Sequence, residues 1–355
     1  VHSTLELSEI DKSIGRLFMS GMPGTKLDRG TEALIRDFCL GGVILFSRNI
    51  ENPVQLASLC RDLQEKARKY HGSSLFLAVD QEGGPVARLK EPFTRFPGNS
   101  AIGEDENPQE KAVEFARVTA TEMKLVGLNM NLAPVLDVRG REVERHLAGR
   151  TFCGDPEKVA LLGRVVIREL QAHGIMAVAK HFPGLGRAPL DPHRDLPIID
   201  AGAGEMEQVH LSPFRAAIEE GVSAVMTSHA VYPALDPDLP ATLSRSVLTA
   251  LLREELGFQG LIITDDLEMG AIEKTWGVPQ GAMVSLQAGG DLLLICKDQN
   301  LVMDSILALR GKVIRGDIPF SRIYESMERI GKLKSRYLKK KETVSLERVR
   351  AYFHL

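Results

Sequence analysis

The stretch "MAVAKHF" (residues 176–182) is apolar for four residues and then ends on Lys180-His181. Its brevity and β-branched character predict a strand buried on both faces, as in a parallel sheet. Working outward, the same pattern recurs in "IGRLFMSG" (14–21), "GGVILF" (41–46), "LFLAVD" (75–80) and "LNMNLAPVLDV" (128–138). It continues in "AVMTSH" (224–229), "GLIITDD" (260–266) and "DLLLIC" (291–296). Amphipathic stretches with helix start and stop signals lie between them. In 52–70, Asn52 is placed to cap and Pro53 to open the first turn; in 155–174, Asp155, Pro156 and Gly174 do the same work. The stretch 244–258 follows the same logic. Strands alternating with helices from end to end predict a (β/α)8 TIM barrel of the α/β class. With neither linker nor low-complexity segment, a single domain spanning 1–355 is expected, its barrel over about 13–318 and extra C-terminal helices over about 319–355.

Composition narrows the function. The 355 residues are 44% hydrophobic and 26% charged with a net charge of −3, an ordinary globular balance. No basic stripe runs along the chain, which argues against nucleic acid as a partner. No apolar run reaches membrane-spanning length. The four cysteines stand singly at Cys39, Cys60, Cys153 and Cys296, and Cys39, Cys60 and Cys296 read as buried thiols rather than disulfide partners. The opening "VHSTLELSEIDKSIGRLF" lacks a basic stretch followed by an apolar one, so no secretory leader is expected.

A barrel of this kind works at the C-terminal ends of its strands. Those ends carry Asp80-Gln81-Glu82-Gly83-Gly84, Asp137, Lys180-His181, Ser228-His229 and Asp265-Asp266. Any one aspartate there can cap a helix, and Asp137 and Asp266 read equally well that way. Convergence of so many ionisable residues points instead to a site. A metal is disfavoured because no H-x-H or H-x-x-x-H pair supplies ligands, so no metal or other cofactor is expected. Phosphate binding at Gly83-Gly84 is disfavoured because the preceding carboxylates repel an anion. Nucleophilic catalysis fits better. Asp265 emerges from a rigid strand, and His193 can give and take a proton if Asp191, two residues before it, orients the ring. Pro192 favours extended backbone at Asp191, which predicts that both side chains point the same way.

Together "VDQEGGPVARL", "APVLDV", "KHFPGLG" with its following D-x-H, "MTSHAVYPALD" and "GLIITDDLEMGAI" resemble the family 3 glycoside hydrolases. The likeness is to the single-domain β-N-acetylglucosaminidase (β-N-acetylhexosaminidase) branch and runs from about residue 13 to 300. That branch uses a loop histidine paired with an aspartate where other members draw a carboxylate from a second domain. The resemblance implies Asp265 as nucleophile, His193 as general acid/base and Asp191 as its partner. It also implies that Asp80, Arg88, Arg150, Lys180 and His181 bind the sugar. The expected reaction is retaining hydrolysis of terminal β-linked N-acetylglucosamine, with peptidoglycan fragments as substrate and the cytoplasm as compartment. The partner is then a small carbohydrate, with no obligatory protein partner. A phosphorylase on the same scaffold and a sugar-binding barrel without turnover remain alternatives. Pro85, Leu185 and Pro192 depart from the usual Arg, His or Gly, and Ser, and Pro189 and Pro192 stiffen a loop expected to close over the site.

Overall fold

Strands that are apolar on both faces need cover on both, and a closed ring with helices outside provides it. The computed structural model describes residues 7–140, 145–338 and 344–355. Eight parallel strands lie in chain order: β1 (Phe18–Ser20), β2 (Gly42–Leu45), β3 (Phe76–Val79), β4 (Met130–Asn131), β5 (Met176–Phe182), β6 (Ala224–Thr227), β7 (Leu261–Ile263) and β8 (Leu293–Ile295). Each strand from β1 to β6 pairs with the next, and β8 returns to β1 with Phe18 opposite Leu293. A parallel bridge between Ile263 and Leu292 spans the remaining gap, where the Thr264 amide donates to the Leu292 carbonyl at 3.0 Å. The fold is a (β/α)8 TIM barrel with additional C-terminal helices.

The helices form where their end signals place them. After β1 comes α1 (Arg29–Phe38), and after β2 comes α2 (Pro53–His71). The Asn52 side chain accepts the Gln55 amide at 2.9 Å, and Gly72, at φ 69°, ends α2 in the left-handed conformation a side chain resists. Then follow α3 (Pro108–Leu125), α4 (Pro156–Ala172), α5 (Ser212–Glu219), α6 (Ser246–Glu255), α7 (Val278–Ala288) and α8 (Gln299–Ile314), with wider π-type turns in α6. Asp155 caps α4 by accepting the Glu157 amide at 3.0 Å. Cys39, Cys60 and Cys296 are buried free thiols, and Cys153 is free and half-buried.

Two strands are shorter than their apolar runs. Ile14 and Gly15 close a helix (Leu7–Gly15) instead of opening β1. A side chain at Gly15 would stand 1.5 Å from the Phe38 carbonyl oxygen, so the chain turns there on a residue that must be glycine. The run 128–138 gives only Met130–Asn131, because Pro134 has no N–H for the ladder. The Asn131 side chain replaces backbone on the β3 side. Its oxygen accepts the Gln81 amide and its nitrogen donates to the Gln81 carbonyl, both at 3.0 Å.

Two further helices, α9 (Phe320–Tyr337) and α10 (Leu346–Phe353), complete the chain. One buried carboxylate anchors α9. Asp291, fully buried before β8, accepts the Ile262 amide at 3.0 Å, the Ser326 hydroxyl at 2.6 Å and Arg329 at 3.1 Å, besides a close contact with Arg253. It therefore binds β7, α6 and α9 at one point. Removing one partner of a buried ionic group leaves the others uncompensated. Asp291→Ala is expected to lower the unfolding free energy by about 3–5 kcal/mol in urea titration. A loss below ~1 kcal/mol would show that Arg253, Arg322 and Arg329, all paired with Asp291, find water instead.

Candidate active site

At the C-terminal end of the barrel, β3 and β5 are joined by a buried chain of charges. The Lys180 ammonium donates to Asp80 at 2.8 Å and lies 2.7 Å from Glu82. The Arg150 guanidinium grips Glu82 with two bonds of 2.9 Å, and Arg88 stands 3.5 Å from the other oxygen of Asp80. Side-chain exposure is 2% for Lys180 and 1% for Glu82. Burial by itself would push the Glu82 carboxyl up, but the Lys180 and Arg150 charges outweigh it and hold the pKa at about 2. Lys180 is raised although burial opposes it, because Asp80 and Glu82 face it. The turn that brings Glu82 inward needs Gly84, whose φ is 57° and whose missing side chain would meet the Pro97 carbonyl at 2.7 Å.

Asp137 caps no helix. It is fully buried and accepts the His181 ring Nδ1–H at 2.7 Å, the Leu185 amide at 2.7 Å and the His181 amide at 3.2 Å. A carboxylate can only accept, so the ring proton sits on Nδ1 and Nε2 is left for another partner. Burial opposes ionisation of Asp137, but the His181 ring and these amides hold its carboxyl below the ordinary range.

Asp265 follows β7 and keeps partial access to solvent. Burial disfavours its charge, yet His181, His229, the Asp266 amide (2.8 Å) and Lys180 together hold its carboxyl below the usual carboxylate range. His229 is buried, with Nε2 donating to the Asp266 carbonyl at 3.0 Å and Nδ1 sharing a 2.7 Å bond with the Thr242 hydroxyl. Asp266 accepts the Glu268 amide at 3.1 Å and the Cys296 amide at 3.2 Å, bracing the turn after β7. Its own carboxyl is pushed up to about 6, chiefly by burial. Neighbouring aspartates thus hold opposite tendencies, the arrangement an acid-base site needs.

The D-P-H segment forms a turn and not the extended backbone expected for it. The Arg194 amide donates to the Asp191 carbonyl at 3.0 Å, and the Asp191 side chain accepts the His193 amide at 3.1 Å. Aspartate at the first position and proline at the second favour such a β-turn, and the Asp191 side chain bonds the amide two residues on. The pairing still forms: His193 Nδ1 lies 2.7 Å from Asp191 Oδ1. His193 is 64% exposed, so its ring stands at the mouth of the site. Its loop is moored by the carbonyls of Pro192 and His193, which accept the amides of Ala271 and Gly270 at 3.2 and 3.1 Å, and by Lys274, which donates to Asp195 at 2.8 Å. Those amides open the short helix Gly270–Trp276 just after Asp265.

The structure thus gathers Asp80, Arg88, Arg150, Lys180 and His181 on one wall, with charges that reach Asp265, and hangs His193–Asp191 at the rim. Sequence reasoning assigned no role to Glu82, which is the hub of the wall. It also passed over His146, whose buried Nε2 has no hydrogen-bond partner among the described residues and whose charge environment includes Asp191, Arg150 and Asp137. The E of D-Q-E was a signal for the first. A lone histidine in a charged loop gave none for the second.

A carboxylate at the end of a barrel strand, facing cations and a histidine–aspartate pair, defines the class of a barrel hydrolase. Residues 9–333 match the model of the glycosyl hydrolase family 3 N-terminal domain. The chain is 37% identical to a β-hexosaminidase of Nitrosomonas eutropha over 297 residues, which are 82% of this chain and 84% of that protein. It is also 37% identical to a β-hexosaminidase of Pseudomonas aeruginosa, over 82% of this chain and 86% of the relative. Among solved structures, a family 3 β-N-acetylglucosaminidase from Paenibacillus sp. superposes with TM-score 0.90 at 37% identity, over 96% of this chain and 68% of that one. NagZ from Neisseria gonorrhoeae does so with TM-score 0.79 at 31% identity, over 95% and 93%. The chain belongs to glycoside hydrolase family 3 and is a glycoside hydrolase.

Glu82→Gln keeps the shape of the hub but strips its charge, leaving Arg150 without its carboxylate and Lys180 with Asp80 alone. A stability loss of about 3 kcal/mol is expected at neutral pH. The folded-state pKa of Glu82 is depressed to about 2 from 4.5, so its contribution is present above pH 4.5 and is lost as pH falls toward 2. The gap between wild type and variant in urea should therefore close over that window. A gap that stays constant down to pH 2.5 would contradict the assignment.

Proposed function

We propose that this hydrolase is a retaining exo-β-N-acetylglucosaminidase. The observation that carries the reading is the pairing of an ionised Asp265, on a rigid strand end, with a His193–Asp191 couple moored to the helix just after it. Asp265 attacks the anomeric carbon while His193 protonates the departing glycosidic oxygen. The bond to the aglycone breaks and a glycosyl ester forms on Asp265. His193, now neutral, takes a proton from water, which attacks the same carbon and releases the sugar with its configuration retained. This is the two-step retaining scheme with His–Asp in place of a second carboxylate. Asp191 accepts the Nδ1 proton and so presents Nε2 to the leaving oxygen.

Asp80 binds sugar hydroxyls as an acceptor, with Lys180 and Arg88 beside it. Arg150 shapes this wall through Glu82, and His181 Nε2 offers a further contact. The relatives named for β-hexosaminidase and β-N-acetylglucosaminidase activity support the sugar assignment. A structure of NagZ from Neisseria gonorrhoeae in complex with N-trifluoroacetyl-D-glucosamine adds to it. For substrate we infer peptidoglycan fragments bearing N-acetylglucosamine. The cytoplasm as compartment agrees with four free cysteines. Among the described residues no helix is long and apolar enough to cross a membrane.

Nitrophenyl β-N-acetylglucosaminide and the matching β-glucoside test the reading. Wild type should release nitrophenol from the first and not the second, with or without phosphate. Asp265→Ala should lose roughly a thousandfold or more in kcat. His193→Ala should lose about a hundredfold or more on an alkyl or sugar aglycone, and much less on nitrophenyl, whose leaving oxygen needs no proton. Turnover only with phosphate present would make the enzyme a phosphorylase. Full activity in Asp265→Ala would overturn the nucleophile assignment.

A further inference from the structure

The opposite, N-terminal end of the barrel holds a group of side chains for which the reaction has no use. Arg16 lies in the turn before β1, His71 is the last residue of α2, and Lys334 comes from α9. The Lys334 ammonium stands 5.0 Å from the centre of the Phe76 ring, at the start of β3. Cys39, the left-handed residue that ends α1, completes the group. The side chains are close enough for their charges to act on one another. Burial first, and then the Lys334 and Arg16 charges, hold His71 down at about 4. Burial and Arg16 together bring Lys334 down to about 7.

Cations so placed in a folded protein normally face carboxylates. Among the described residues none acts on His71 or Lys334. Several acids on the neighbouring elements pair elsewhere. Asp11 pairs with Arg310 at 2.6 Å, Glu32 with Lys66 at 2.6 Å, and Asp37 with Arg36 at 2.7 Å. Asp291 serves Arg253, Arg322 and Arg329. Among the described residues, both ring nitrogens of His71 and Nε of Arg16 are buried without a hydrogen-bond partner. Buried donors left unmade are rare in native proteins, and several together around like charges call for a missing acceptor.

We propose that Arg16, His71 and Lys334 bind a small oxyanion, a sulfate- or phosphate-type group, at the N-terminal end of the barrel. A tetrahedral anion accepts from a guanidinium, an imidazole N–H and an ammonium at once. Phe76 supplies an apolar wall beneath the ammonium. Arg16, His71 and Lys334 are each only half-buried, which leaves the anion a way in. The bound anion ties α9 to the base of β1 and to α2, so its effect is on stability and not on turnover.

The test is thermal unfolding of the full chain at pH 6.5 and constant ionic strength, with sulfate or phosphate replacing chloride. A rise in Tm of about 3 °C or more is expected for wild type. The gain should vanish in Arg16→Met and Lys334→Met. In chloride both variants should melt no lower than wild type, since each removes an uncompensated charge. Arg88→Met, at the sugar site, should keep the gain. Glycerol 3-phosphate in place of phosphate separates the sources: equal protection assigns the site to phosphate monoesters, and protection by inorganic anions alone assigns it to the free ion. Crystals of wild type soaked in selenate should show an anomalous peak among the three side chains, which holds whether or not a variant folds. An unchanged Tm in wild type, a gain retained in both base variants, a gain lost in Arg88→Met, or no selenate peak at a concentration that protects would each overturn the site.

Discussion

The catalytic end of this barrel depends on one buried cation. Lys180 projects from β5 and meets Asp80 and Glu82, both from the segment after β3, so two strand ends are joined across β4 by charge. An isolated ammonium at that depth would neutralise itself, and an isolated Glu82 would take up a proton. Each stays ionised because the other is there, and Arg150 extends the chain to the loop before α4. The consequence for function is geometric. In the proposed reading Asp80 meets the sugar, and its orientation is set by groups that cannot move without exposing an unpaired charge. Such preorganisation is what a site needs if binding is to favour the transition state.

Two carboxylates with similar burial then part ways through their neighbours. Asp265 faces His181, His229 and Lys180 and is held ionised. Asp266 faces Glu268 and Asp265 and is pushed up to about 6. No property of the residues themselves distinguishes the pair in T-D-D; the strand twist that turns one toward the cations and the other toward the Cys296 amide does. The assignment of the first aspartate as the reacting group therefore has an electrostatic reason, independent of resemblance.

How much of this was legible beforehand follows from what each feature depends on. Strands such as Met176–Phe182 and helices such as Pro53–His71 follow from local pattern and local caps, so the barrel could be read directly. The strand after Leu128 could not, because Pro134 breaks its ladder and Asn131 repairs it through a side chain, a tertiary substitution with no periodic trace. Among the candidate site residues, strand-end position is what singles out Asp80, Lys180, His181 and Asp265. Glu82 left a signal in D-Q-E, but its role as a hub depends on Lys180 and Arg150 converging on it, which only the tertiary fold brings about. The D-P-H turn was read with the wrong backbone and the right pairing, since an Asx-type bond and an extended strand both bring residues i and i+2 together.

The division of labour between strand and loop has a physical basis. A nucleophile must meet a carbon at a fixed point, so it belongs on the part of the fold that cannot yield, and Asp265 follows a strand that is wholly buried. A proton carrier must serve an aglycone that leaves and a water that arrives, which asks for access more than for rigidity. In the proposed mechanism that carrier is His193, which is 64% exposed and whose ring Nδ1 pairs with Asp191. Low local stability at the rim and high stability at the wall are therefore complementary requirements of one reaction. The prolines at 189 and 192 fit the same logic. They limit how many conformations the loop must give up when it delivers the ring, at the cost of a narrower range of motion.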